Sequence, residues 1–375
     1  MTSADGTVVR TVKIVDHGSN AKRWTLVILS EGYKTDELPK FALDSEAFAN
    51  KLFATRPFTE MWCAINIYRV DVSSTDSGAD EPATCGDGST GSGVTARTYF
   101  DATYCVASTA RLLAGNQPLA LVTASAAVAE VDATVVIVNS SRYGGAGGSV
   151  AWFSTHPDAG EIGVHEMGHA AFGLLDEYGD ITNTWPGGEP SEPNVTSITD
   201  RATTKWASRI AAATALPTLS NPNCSAENAA ASTVPTGTVG LFENAGRAHC
   251  GLFRAEYQCR MRSLGQPFCV VCRDAITRRL APHLPEASGP TVGVQFRGSV
   301  PASSAVRWFT YDWSACWHVL WTVVPTSPVN PTSGTHTTVR IERSSRERLT
   351  YWIEVENLTE KPVDIEGRYA VIARV

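Results

Sequence analysis

Apolar positions in the first half of the chain follow two alternating patterns. RWTLVILSEGY, AINIYRVDV and DATVVIVNS are strand-length runs that are apolar almost throughout, as expected of strands buried on both faces. Between them, DELPKFALDSEAFANKLFAT and LALVTASAAVAEV repeat apolar residues at helical spacing, and the first carries acids near its start. SVAWFST reads as one more short strand, directly before a helix that contains HEMGH. Alternation of this kind predicts an α/β fold with a mostly parallel sheet.

After Gly179 the pattern dissolves for about sixty residues, with Pro186, Pro190, Pro193, Pro217, Pro222 and Pro235 scattered through them. A span of that length in a compact domain is usually functional, commonly a wall of an active site. Order returns with EYQCRMRSLGQPFCVVCRDAITRRLAPHL, a tight turn followed by a helix. Pro285 to Pro290 then mark a change of composition. Beyond them TVGVQFRG, VRWFTYDW, WHVLWTVV, TTVRIER, LTYWIEVEN and GRYAVIARV are short alternating strands separated by turn residues. The predicted organisation is therefore a domain at 1–284 and a C-terminal β-sandwich at 285–375. Half of the ten tryptophans lie in the second part, where sandwich core is a simpler role for them than a binding platform.

Charge and cysteine content narrow the function classes. A net charge of -7 without basic runs argues against nucleic acid or an anionic membrane surface as partner. The apolar runs are too short to cross a bilayer, and MTSADGTVVR has no apolar signal core, so a leader is absent or already removed. Nine cysteines, several in Gly/Ser/Asn/Pro-rich loops, suit an oxidising compartment. Disulfides are expected among Cys85, Cys105, Cys224, Cys250, Cys259, Cys269 and Cys272, with at least one thiol left over. FCVVC could suggest a zinc ribbon or redox site, but no second CxxC follows at ribbon spacing, which favours a structural role. Asp76, Asp80, Glu81 and Asp87 in a Gly/Ser loop could hold Ca2+, although without EF-hand spacing a solvated loop is the simpler reading.

HEMGH carries the chemistry. His165 and His169 stand one helical turn apart, so both imidazoles leave one face and can share a zinc ion. Glu166 lies about 100° around the helix from His165, placed to reach water on that metal as a general base. The residues before and after the pentapeptide are apolar, and burying two histidines there without a partner would be costly. Catalytic zinc needs a third protein ligand and an open position. Gly173 can end the helix in a left-handed turn, and Asp176 follows three residues later. In the metzincins, HExxHxxGxxH likewise turns at glycine and delivers its third ligand after the same interval. Asp176 is accordingly the expected third ligand. Glu177 would project differently, towards structural contacts, and Asp180 would need a second reversal of the chain.

HEMGHAAFGLLDEY, preceded by VVIVNSSRYGGAGG and followed by EPNVTS, VGLFENA, CRMRS and PFCVVCRDAI, resembles the IgA-peptidase family of bacterial zinc endopeptidases. LVILSEGYKTDELPKF and INIYRV also look like that family, so the likeness runs over roughly residues 10 to 285 through several ordered motifs. It implies a secreted endopeptidase with a metzincin-like α/β/α catalytic sandwich, acting on a protein or peptide substrate. It also implies that Met261 is the methionine of the turn beneath the zinc. GLFRAEY departs from the family pattern, which leaves His249, Arg254 and Tyr257 as weak candidates for stabilising the transition state.

The sequence thus predicts zinc-dependent peptide hydrolysis, with Zn2+ on His165, His169 and Asp176 and Glu166 as base. SVAWFST would be the sheet edge that aligns an extended substrate. Two rivals are a binding module whose metal is structural or vestigial and whose Trp-rich sandwich does the recognition, and a zinc amidase acting on small or cell-wall substrates. A carboxylate at Glu166 is superfluous in the first of these.

Overall fold

The computed structural model of the protein describes residues 5–228, 230–285, 291–326 and 334–374. The chain divides into two compact units, Met1–Ile14 with Gly18–His283, and Val15–His17 with Leu284–Val375. The composition change from Pro285 to Pro290 falls, beyond Pro285 itself, outside the described residues.

The first unit is built on a six-stranded sheet. Its strands are β1 (Gly6–Val15), β2 (Trp24–Glu31), β3 (Ile65–Ser74), β4 (Ala133–Val138), β5 (Gly145–Ala146) and β6 (Ala151–Ser154), in the order β1-β3-β2-β4-β6-β5. β2 pairs in parallel with β3 and β4, β4 pairs in parallel with β6, and β5 runs antiparallel to β6. Every residue of β2 and of β4 is buried, which is why their sequences lack alternation. The helices are α1 (Leu38–Phe53), α2 (Phe58–Met61), α3 (Gln117–Ala127), α4 (Ala159–Phe172) and α5 (Val270–Leu280).

Side chains of β4 alternate between two helical layers. Val136 and Val138 pack with Ala120 and Ala124 of α3, whereas Ile137 lies beside Phe48 of α1 and Phe153 of β6. Helix α1 buries Leu38, Phe41, Ser45, Phe48, Ala49 and Leu52, the i, i+3, i+4 stripe its sequence predicts. Gly163 lets α4 settle here, since a Cβ on it would stand 2.7 Å from Phe153 and 2.8 Å from Phe48. The combination of helices and sheets agrees with the α/β expectation.

Two expectations need correction. SVAWFST is not the sheet edge: β5 pairs beyond it, and Gly145 in turn exchanges backbone hydrogen bonds with Arg111 and Leu113. Nor is the span after Gly179 structureless. β7 (Gly179–Thr184), β8 (Val195–Thr196) and β9 (Phe242–Ala245) all pair with β10 (Arg247–Arg254), β7 in parallel and the others antiparallel. β8 has only two residues, all of β7 but Gly179 is exposed, and the β10 registers shift, so no period-two signal survives.

The second unit holds β11 (Thr291–Val300), β12 (Ala305–Ser314), β13 (Trp317–Pro325), β14 (Thr335–Arg343), β15 (Arg348–Asn357) and β16 (Val363–Arg374). They form two antiparallel three-stranded sheets, β11-β16-β13 and β12-β15-β14. Val300, Trp313, Tyr351, Ile353, Val363 and Ile365 make a core between strands of both sheets, with Trp308, Trp317 and Trp321 packed against it. Four of the five tryptophans here therefore serve packing, while Trp352 lies tilted against the exposed Phe309.

Candidate metal centre and active site

Helix α4 carries HEMGH on a buried face, with His165, Glu166 and Gly168 all inside. Each imidazole is oriented by a backbone carbonyl: His165 Nδ1 lies 3.0 Å from Arg260 O and His169 Nδ1 lies 2.6 Å from Leu174 O. A carbonyl can only accept, so both rings hold a proton on Nδ1 and turn Nε2 to the opposite side. The helix ends where the sequence says it should. Gly173 is left-handed (φ 61°), and its N–H and that of Leu174 return to carbonyls of the last turn.

That turn delivers Asp176 to the histidines. Its Oδ1 lies 3.3 Å from His165 Nε2 and 3.2 Å from His169 Nε2, buried and without a hydrogen-bond partner. Nitrogen and oxygen ligands about 2.05 Å from a tetrahedral zinc stand about 3.3 Å apart. The donor set, its spacing and the orphaned oxygen fit a zinc ion. A carboxylate oxygen of Glu166 and nitrogens of both imidazoles also fall within 4.8 Å of one another, so the carboxylate stands at the same site.

Electrostatics at the site express the same demand for a cation. Burial pushes the His165 imidazole down, but the Asp176 and Glu166 carboxylates outweigh it and raise it to about 9. Burial opposes ionisation of Asp176, yet both imidazoles hold its carboxyl far below the ordinary range. Burial raises the Glu166 carboxyl.

Met261 is fully buried under the helix. A Cβ added to Gly168, between the two histidines, would stand 2.8 Å from the Met261 sulfur. The turn around Met261 also holds both ends of the site: Arg260 O receives His165, and Met261 O accepts from Glu177 N at 2.8 Å. Arg260 ties the turn to α4 through an ion pair with Glu161, which Lys51 shares.

A cleft of about 420 Å3 opens over these groups, lined by Arg111, Tyr143, Glu166, Tyr178, Arg262 and neighbours. Sequence reasoning missed Arg111, Tyr143 and Tyr178. Arg111 donates to Tyr178 Oη at 3.4 Å and stands 3.6 Å from Asp180. Their only signal was position, Tyr143 in RYGGAGG and Tyr178 two residues beyond Asp176. The three candidates named instead do not line the cleft. His249 faces Cys224 O, Arg254 is buried on the carbonyls of Glu243 and Asn244, and Tyr257 donates to Ala230 O.

The acids suggested for Ca2+ are dispersed among other partners. Asp76 pairs with Arg97, Glu81 with Arg142 and Ser92, Asp80 accepts from Ala96 N, and Asp87 from Ser89 N and Ala110 N. Among the described residues, neither grouping of metal-ligating side chains includes them.

Disulfides join Cys85 to Cys105 and Cys224 to Cys250, as expected, but Cys259, Cys269 and Cys272 are free and buried, against expectation. Their sulfurs point into a pocket that Glu177 also enters, so proximity there serves another arrangement.

No curated protein matches the chain. The family model of the IgA peptidase M64 family, however, matches residues 12–231, which include His165, Glu166, His169 and Asp176 but stop short of Met261. That is more than half of the 375 residues, and the chain belongs to the IgA peptidase M64 family, a family of peptidases.

Proposed function

We propose that this peptidase is a secreted zinc-dependent endopeptidase, with residues 1–284 as a metzincin-like α/β/α catalytic domain and 285–375 as a β-sandwich domain. The observation that carries the reading is Asp176 Oδ1, held 3.3 and 3.2 Å from the Nε2 atoms of His165 and His169, beside a cleft that His165 and Glu166 line. Zinc bound by His165, His169 and Asp176 supplies Lewis acidity to the scissile carbonyl and to water. Glu166 takes the proton of the attacking water and hands it to the leaving nitrogen. Arg111 and Tyr178 are the donors placed in the cleft to meet negative charge developing on the carbonyl oxygen. Met261 floors the site from beneath Gly168. Secretion is supported by the disulfides Cys85–Cys105 and Cys224–Cys250; among the described residues, no helix is long and apolar enough to cross a membrane.

The test is a peptide-cleavage assay with metal analysis on the wild type and Glu166→Gln. Chelation should abolish cleavage and zinc should restore it. Glu166→Gln should keep its zinc while kcat falls by about 10^2 to 10^4. Cleavage that persists in chelator, or a Glu166→Gln protein that turns over normally, overturns the mechanism.

A further inference from the structure

The free thiols gather at one point. Cys259 comes from the turn before Met261, Cys269 is the N-cap of α5, and Cys272 lies in its first turn. Glu177, the residue after Asp176, reaches the same point from the other side. One ligand atom from each of the four falls within 4.8 Å of the other three, and all four residues are fully or almost fully buried.

The spacing separates the possible explanations. Cys259 Sγ and Cys272 Sγ are 3.7 Å apart. A disulfide would bring them to about 2.05 Å. Two sulfurs about 2.3 Å from one tetrahedral zinc stand about 3.75 Å apart, and a sulfur and an oxygen about 3.6 Å apart. Glu177 Oε1 lies 3.2 Å from Cys272 Sγ and 3.8 Å from Cys269 Sγ, on either side of that value. In a buried cluster of uncharged thiols, Glu177 Oε1 accepts from Asn194 at 2.9 Å and from Cys272 Sγ at 3.2 Å, while Oε2 is buried without a partner.

Backbone groups and a helix end offer these sulfurs donors and positive potential. Cys269 N donates to Cys259 Sγ at 3.2 Å and Cys272 N donates to Cys269 Sγ at 3.4 Å. Both sulfurs on α5 sit at its N-terminus, where the helix dipole favours negative charge.

We propose that Cys259, Cys269, Cys272 and Glu177 form a second metal centre, a closed four-ligand site for zinc or another thiophilic divalent ion. The three thiols give up their protons on binding, and all four positions of the tetrahedron are filled by protein, as in structural rather than catalytic sites. The ion clamps three segments: the turn that bears Met261, the start of α5, and the stretch between α4 and β7 that carries Asp176. Asn194 reinforces the clamp, because its side chain also bonds both backbone groups of Leu175.

The experiment uses the His165→Ala/His169→Ala variant, which empties the open site and so makes the result independent of the peptidase reading. Loaded with Co2+, this variant should bind one equivalent and show intense thiolate-to-cobalt charge transfer in the near ultraviolet. The charge transfer should vanish with Cys259→Ser added and survive, shifted, with Glu177→Cys added. Zinc-edge X-ray absorption of the wild type should show sulfur neighbours. Overturning results are a Co2+ spectrum without thiolate charge transfer, zinc coordinated by nitrogen and oxygen alone, or mass mapping that finds a disulfide among the three cysteines of folded protein. If Cys259→Ser fails to fold, the X-ray absorption of the wild type still decides.

Discussion

Asp176 and Glu177 are neighbours in the chain that serve opposite environments. Asp176 faces a pair of imidazoles under an open cleft, and Glu177 faces three thiols in a closed chamber. The donors differ as the exposure does. Nitrogen and oxygen groups with one position left free suit an ion that must meet substrate, whereas three sulfurs and a carboxylate with no opening suit one that must stay. A single dipeptide thus couples chemistry to architecture, and the position of Asp176 depends on what holds Glu177. Asn194 makes the dependence concrete, since one side chain bonds Leu175 and Glu177 together.

The strongest way to break this comparison is to remove each acid in turn. Asp176→Ala should lose the ion at the histidines and peptide cleavage with it, a fall of at least about 10^3, while sulfur-bound metal remains. Glu177→Ala should do the reverse at first: metal at the histidines is retained, and the loss appears in stability because a buried network has lost a member. Zinc content by elemental analysis, read with activity and thermal midpoint, distinguishes the two. If Glu177→Ala strips the open site while Asp176→Ala keeps it, the assignment of the two acids is inverted.

Much of the open site was legible because its geometry is local. HEMGH fixes two histidines on one helical face, and Gly173 followed by Asp176 fixes the return of the chain, all within residues 165 to 176. The thiol chamber was not legible, because Glu177 and Cys272 are separated by 95 positions and only the fold brings them together. CxxC without a second pair looked merely structural, and its missing partners were one cysteine ten residues upstream and a carboxylate. The same distinction runs through the fold. β2 and β4 declare themselves by continuous burial, whereas β7 and β8 are exposed or two residues long and leave no periodicity. Arg111 and Tyr143 line the cleft from loops, where no pattern marks them.

A third perturbation asks how far the wall of the cleft can loosen without affecting either centre. Cys224–Cys250 closes a loop of 26 positions and pins the irregular segment to β10, and neither cysteine belongs to either cluster of ligands. Cys224→Ser/Cys250→Ser should cost about 3.5 kcal/mol of stability by the chain-entropy account. Zinc content should be unchanged, and KM should move more than kcat, because the segment contributes Glu227 to the cleft but no ligand. A kcat that collapses with the metal still bound would show that the wall positions the reacting groups themselves.

The smallest expected effect lies at the hinge between the helix and the dipeptide. Gly173 has φ 61°, and a Cβ added there would meet nothing within 4 Å, so steric crowding plays no part in its replacement. What remains is the intrinsic strain of an L-residue in the left-handed region, about 1 to 2 kcal/mol. Gly173→Ala should therefore lower the thermal midpoint by a few degrees, and Gly173→Asn by less, since asparagine tolerates that conformation better. The turn also carries Leu174 O, which orients His169, and leads directly to Asp176. If the closed centre holds the far side of that stretch through Glu177, the added strain is absorbed as lost stability and zinc affinity at the histidines stays within a few-fold. Zinc affinity falling far more than stability would mean that Asp176 is positioned by the glycine turn alone, and that the coupling between the two acids is weaker than their shared backbone suggests.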